Sequence, residues 1–240
     1  MTLTVAPAAA AAPQGFFARA VGVLTSPRAT YAGVAAQPRW IGALLFVVAV
    51  SGAAATLFVA TEVGQRAVLD QQLARAEASG RHLSDAQMAT LEGFVPYYKY
   101  FAFPIQLVTL GIGGLVLAGI LFAVFTALLG ADGSFTQVFA VVSHSGIVLT
   151  VAGLFALPIE YAQQSLTNPT SLAVFLPFLD DDTFMTNLLG AFDLVRLWWT
   201  VNLAIGLAVL YRRRTAPVAT ALIAVYAVIA LVYAAATTAF

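Results

Sequence analysis

The sequence predicts an all-α fold: a polytopic membrane protein built as a bundle of five transmembrane helices, with an N-terminal interfacial helical segment. Three observations predict it. Eleven Lys/Arg and eleven Asp/Glu make only 9% of the 240 residues charged, where an average soluble domain carries about a quarter. The apolar fraction is 61% and the mean hydropathy +0.90. The charges are also unevenly placed, leaving uncharged stretches long enough to cross a bilayer. Together these exclude an ordinary soluble domain and a disordered chain. Zero cysteines exclude disulfides, thiolate catalysis and cysteine-ligated metal.

Met1 to Gln14 is Ala/Pro low complexity without a basic leader or a leucine-rich core, and reads as a disordered tail preceding a single membrane domain over 15–240. From Gly15, Phe16, Phe17, Val21 and Leu24 recur at helical spacing around Arg19, as in a short helix lying in the interface. Ser26-Pro27 reads as an N-cap followed by proline at the first helical position, opening a second short helix that ends before Pro38. Tyr31 and Trp40 are expected to anchor it at the interface.

A span needs about 20 apolar residues to cross a core of about 30 Å. Trp40 to Thr61, Tyr100 to Ala131, Gly133 to Ile159 and Thr215 to Phe240 are 22, 32, 27 and 26 residues without a charge. They place helices at 41–61, 103–129, 136–158 and 217–236. A further helix is expected at 191–211, where Leu197 to Tyr211 is apolar and spanning needs Asp193 and Arg196 at the interface. Ser171 to Leu179 is too short to span and reads as an interfacial or re-entrant piece of the third connection.

The connection 62–100 is the long polar loop. Its first part, Glu62 to Ala78, carries a pattern that extends the first span as a helix beyond the membrane, until Gly80 interrupts it. Ser84-Asp85-Ala86-Gln87 fits a capping box for a short helix closed by Gly93 and Pro96. Tyr97, Tyr98, Tyr100 and Phe101 form an aromatic belt at the return to the membrane.

Orientation follows from the basic residues. Arg19, Arg28, Arg39 and Arg212 to Arg214 share one side, while Arg66, Arg75, Arg81 and Lys99 are diluted among the acids of the long loop. The positive-inside bias then predicts a cytoplasmic N-terminus and a C-terminus outside, in a plasma (inner) membrane. The acidic run Asp180-Asp181-Asp182 falls on the outer side, where it reads as a solvated helix-capping run.

Two segments carry a resemblance. Val23-Leu24-Thr25-Ser26-Pro27-Arg28, with Gln37-Pro38-Arg39-Trp40 after it, resembles the opening of bacterial members of the Yip family, the Ypt-interacting (Yip-one domain) membrane proteins. Gly190-Ala191-Phe192-Asp193-Leu194-Val195-Arg196-Leu197-Trp198-Trp199, running on through Leu203-Ala204-Ile205-Gly206-Leu207, is similar to that family's fourth-span segment. The resemblance covers roughly 16–236 and implies five spans with a long loop after the first. It also implies an interaction role, since eukaryotic relatives are linked to vesicle traffic, small GTPases and membrane shaping. It carries over no activity to individual residues.

Ionisable and polar groups at membrane depth are functional candidates because burying them is costly. Asp193 and Arg196, three residues apart, read as a self-compensating pair that fixes helix packing or depth, with a gate or substrate contact as the functional alternative. Asn202 reads as an interhelical hydrogen-bonding group, with Gly206 one turn on allowing close approach. His144, between Ser143 and Ser145, reads as a packed neutral histidine, with proton relay or substrate contact as the alternative. A metal site would need further ligands, and the other histidine, His82, lies in the long loop. Gly111, Gly114 and Ala118, Gly52, Thr56 and Ala60, and Ala230 and Ala234 form small-residue stripes for close helix packing.

No H-E-x-x-H, G-x-S-x-G or P-loop is present. Gly111-Ile112-Gly113-Gly114 lacks the third glycine of a dinucleotide fingerprint, and Ser143-His144-Ser145 points its side chains in different directions along one helix. The expected function is therefore a non-enzymatic scaffold or membrane-organising protein, without catalytic, metal or cofactor residues. A small transporter or channel, formed as an oligomer, is the alternative. The expected partners are the lipid bilayer and another membrane protein or a second copy. The balanced charge gives no field to hold nucleic acid.

Overall fold

The computed structural model describes residues 15–78, 80–164, 169–176, 178–179 and 183–239. The expectations for the 1–14 tail and for Asp180-Asp181-Asp182 fall outside these residues. The described chain is all-α, its only extended pairing being a single antiparallel bridge between Ser171 and Asp193.

Ten helices follow in order: α1 (Phe16–Thr25), α2 (Pro27–Ala36), α3 (Ile41–Val59), α4 (Glu62–Ala78), α5 (Asp85–Phe94), α6 (Tyr98–Phe122), α7 (Phe135–Gln163), α8 (Phe184–Ala191), α9 (Leu194–Leu210) and α10 (Thr215–Ala239). Among the described residues, four apolar helical stretches are long enough to cross a membrane: α3, the run Asp85–Leu128 that contains α6, α7 and α10. At 17 residues α9 is shorter, about 26 Å. Outward-facing Leu57, Val108, Ile112, Val116, Val228 and Val232 are each more than half exposed, as lipid-facing side chains are in a bundle that hides only its interior contacts.

The boundaries differ from the sequence expectation in four places. First, α3 does not continue into the loop. The Thr61 hydroxyl donates to Phe58 O at 2.7 Å and accepts from Gly64 N at 3.0 Å, capping a new helix. Gly64 lies against the Phe58 carbonyl, where no Cβ would fit, so the chain turns. Second, Gly93 and Pro96 do not close the loop helix cleanly. The Ser84–Gln87 capping box starts α5, and a single 3₁₀ turn, Val95–Tyr97, leads straight into α6. Proline in a first turn removes a donor that has no helical partner anyway.

Third, α7 runs five residues past the expected 158, through Pro158, and stops at Gln164 in a left-handed conformation. A Ser134–Gln137 capping box fixes its start. Fourth, the expected helix at 191–211 starts three residues later, at Leu194, behind a separate short helix. Ala191 ends α8, Phe192 is extended, and Asp193 is the N-cap of α9 rather than a residue inside it.

The N-terminal helices are part of the bundle's interior on one side. Val23, Tyr31 and Val34 are fully buried, and α2 packs on α9 and α7 while α1 packs on α7. Tyr31 is thus no interface anchor, because the polar partner that draws it inward sits on α9. Gly22 has no room for a Cβ against Thr30, which lets α1 and α2 fold back on each other. Of the small-residue stripes, Gly52 backs onto the Phe103 ring, and Ala118, Ala230 and Ala234 are buried. Gly111 has open space where its side chain would be, so it makes no close helix contact.

Candidate functional site

The polar side chains that the sequence singles out lie on α7 and α9, which pack against each other in the main core. Asn202, 2% exposed, accepts a hydrogen bond from Tyr31 Oη at 2.5 Å and donates one from Nδ2 to Val23 O at 2.8 Å. One amide thereby ties α1 and α2 to α9. One turn on, Gly206 leaves room for Val141 and the Tyr31 ring. Gln137 Nε2 adds a bond to Ala35 O at 2.9 Å, closing the same seam from α7.

His144 is 1% exposed and its Nδ1 lies 2.8 Å from Ala140 O, one turn back on its own helix. Ser143 and Ser145 donate to Phe139 O and Val142 O, and Trp199 Nε1 donates to Ser145 Oγ at 3.0 Å. The hydroxyls are engaged with backbone and indole, so no serine of this triplet is aligned on the imidazole as a nucleophile would be on its base.

Asp193 and Arg196 lie at the far end of α9, away from His144 and Asn202. Asp193 Oδ1 accepts from Val195 N, Arg196 N and the Thr170 hydroxyl. Its backbone pairs with the 169–176 segment through Leu172 N to Phe192 O and Leu194 N to Thr170 O. Tyr226 of α10 accepts from Asp193 N and donates to Ala191 O. Arg196 Nε is 3.8 Å from Asp193 Oδ2, but the Arg196 side chain is 59% exposed and the Asp193 side chain 8%. Asp193 therefore organises a corner where three segments meet, while Arg196 adds an exposed ion pair of small value.

Arg19, which the sequence marks only as an interfacial and orientation-setting charge, is drawn inward. It is 4% exposed, donates from Nη1 to Gln37 O at 3.1 Å, and has no hydrogen-bond partner at Nε among the described residues. Burial, and secondarily the like charge of Arg39, lowers its pKa from the usual guanidinium value. The signal available was its place between apolar residues at helical spacing. No group of three His, Asp or Glu that could hold a metal is found among the described residues.

Two neighbouring cavities with shared walls run along α7 where it faces α3 and α6. Neither is lined by His144, Asn202, Asp193 or Arg196.

The long apolar helices and the lipid-facing side chains define a multi-pass integral membrane protein. A model of the Yip1 domain matches residues 21–237, and the chain belongs to the Yip1-domain family. No curated protein and no solved structure gives a significant match.

Proposed function

We propose that this Yip-type membrane protein is a non-enzymatic scaffold or membrane-organising partner, acting through its surfaces rather than through a catalytic or transport site. The observation that carries the reading is the use of the buried polar groups. Asn202, Tyr31 and the serines beside His144 are engaged within the chain, and they join the N-terminal helices to α7 and α9. Such bonds rigidify a bundle, and Asn202 and Tyr31 line neither cavity along α7, whereas transporter sites gather polar groups near the bilayer midplane.

The same reading takes 15–240 as one domain with five spans, α9 being the fourth, after a tail at 1–14. Seventeen residues lie at the short limit for a span. The exposed Arg196 at one end and Arg212 to Arg214 at the other suit the two interfaces. It places the protein in a bacterial inner membrane, N-terminus cytoplasmic and C-terminus outside. Partners are lipid and another membrane protein or a second copy. Asp193, Asn202 and His144 hold the bundle, Arg196 adds an exposed ion pair, and none of the four contacts a substrate.

The test is purification of the full chain from native membranes with identification of bound proteins by mass spectrometry, alongside flux assays in liposomes. A reproducible stoichiometric membrane partner is expected. Recovery of the protein alone, with solute flux into liposomes, would overturn the reading in favour of a transporter.

A further inference from the structure

Two cavities, of about 370 and 260 Å³, share Val47, Leu110, Gly146 and Leu149 as walls and so adjoin in a groove between α3, α6 and α7, with Val68 of α4 also lining the first. Its α7 wall runs at three- and four-residue steps from Phe139 to Glu160, 21 residues or about 31 Å along the helix axis. Each cavity is close to or within the size of small-molecule sites, about 300–1,000 Å³. A Cβ at Gly153 would meet nothing within 4 Å, so the groove is open in front of it. These three helices are among those apolar and long enough to cross the membrane, and what surrounds the groove is therefore lipid.

The groove is polar at one end. Glu160 and Gln106 both line the first cavity and neither lines the second. Both are partly buried, and neither side chain has a hydrogen bond or ion pair among the described residues. Midway, Ser51 and Thr150 satisfy each other at 3.2 Å. The other end closes on Phe139 and Trp199. An unpaired carboxylate and an unpaired amide, partly buried where α7 and α6 meet the membrane boundary, are costly unless something meets them. They offer one anionic acceptor and one donor at the mouth of an apolar slot.

We propose that the first of these cavities binds a membrane phospholipid with a primary-amine headgroup, its ammonium on Glu160, a phosphate or ester oxygen on Gln106 Nε2, and an acyl chain laid along α7 past Gly153. Charge selects the headgroup: the carboxylate repels an anionic lipid and attracts an ammonium. Shape selects a chain over a helix, because the slot is pinched at Gly146, where a Cβ would lie 3.3 Å from Val47, and open at Gly153, where it would meet nothing. The inference needs α3, α6 and α7 in the bilayer and is independent of the scaffold reading.

The experiment is native mass spectrometry of the detergent-purified full chain, delipidated and then offered phosphatidylethanolamine or phosphatidylglycerol with identical acyl chains. The wild type should retain phosphatidylethanolamine about tenfold better, the ratio a single charge contact of about 1.4 kcal/mol gives. Glu160→Gln should erase the preference and still bind. Gly153→Leu should lose both lipids while melting as the wild type does. Should Gly153→Leu not fold, Ala54→Leu fills the same cavity from α3. Equal retention of the two lipids by the wild type overturns the proposal. So does a preference that survives Glu160→Gln, or a dimer crosslinked through Gly153 in lipid-free protein.

Discussion

Tyr31 on α2 and Asn202 on α9 meet in a 2.5 Å hydrogen bond across 171 residues of sequence, with both side chains buried. The bond closes only because Asn202 also donates to Val23 O and Gly206 makes room for the tyrosine ring. Membrane helices lack a hydrophobic drive to associate, so a satisfied polar contact of this kind decides where α1 and α2 sit.

Asn202→Leu should therefore destabilise the purified protein by about 1–3 kcal/mol, since it strands the Tyr31 hydroxyl in an apolar core. Tyr31→Phe should cost less, because the amide keeps its bond to Val23. The double variant should be less destabilised than the sum of the two, with a coupling of about 0.5–3 kcal/mol. Thermal unfolding in detergent measures all three, and protease cleavage near Ser26 reports whether α1 and α2 have come away. Strict additivity would mean the bond contributes nothing.

Gly206 and Gly111 should respond oppositely to alanine. A Cβ on Gly206 would come within 2.5 Å of Val141 Cγ1 and 3.1 Å of the Tyr31 ring, and overpacking of this kind costs about 1–3 kcal/mol. At Gly111 the new methyl meets nothing, and alanine is the better helix former by about 1 kcal/mol. Gly206→Ala should lower the melting temperature and Gly111→Ala should leave it level or raise it. If both lower it equally, close approach is not what Gly206 supplies.

The contrast shows what a single sequence carries. Ser84 with Gln87 is a local signal, and the capping box can be read three residues at a time. The spans follow from missing charges, which need no knowledge of neighbours. By composition Tyr31 is indistinguishable from an interfacial tyrosine; only α9, far along the chain, makes it a core residue. Asp193 and Arg196 look like an i,i+3 helical pair until Phe192 is seen to be extended, bridged by its carbonyl to Leu172 N. The groove was illegible for a similar reason: its polar mouth takes Glu160 from α7 and Gln106 from α6.

Asp193 should matter more than its ionic partner. Asp193→Ala removes an N-cap, worth about 0.5–2 kcal/mol, and takes away the carboxylate that the Thr170 hydroxyl donates to. Asn at the same position retains an acceptor oxygen and should recover much of the loss. Arg196→Gln breaks only an exposed pair at 3.8 Å and should change stability by less than about 1 kcal/mol. Unfolding of the three variants gives the order directly; an Arg196→Gln loss as large as that of Asp193→Ala would make the ion pair, and not the cap, the organising contact.

The absence of cysteine makes the topology directly testable. Single cysteines at His82, Asp132, Thr183, Arg213 and Thr238 report one connection or end each, using a membrane-impermeant maleimide on intact cells. Five spans with the N-terminus inside predict labelling at 82, 183 and 238, and protection at 132 and 213 until the membrane is opened. The decisive pair is 183 and 213, which flank α8 and α9. If both label from the same side, α9 is a half-inserted helix, the count falls to four, and the arginines at 212–214 mark the surface on which it turns back.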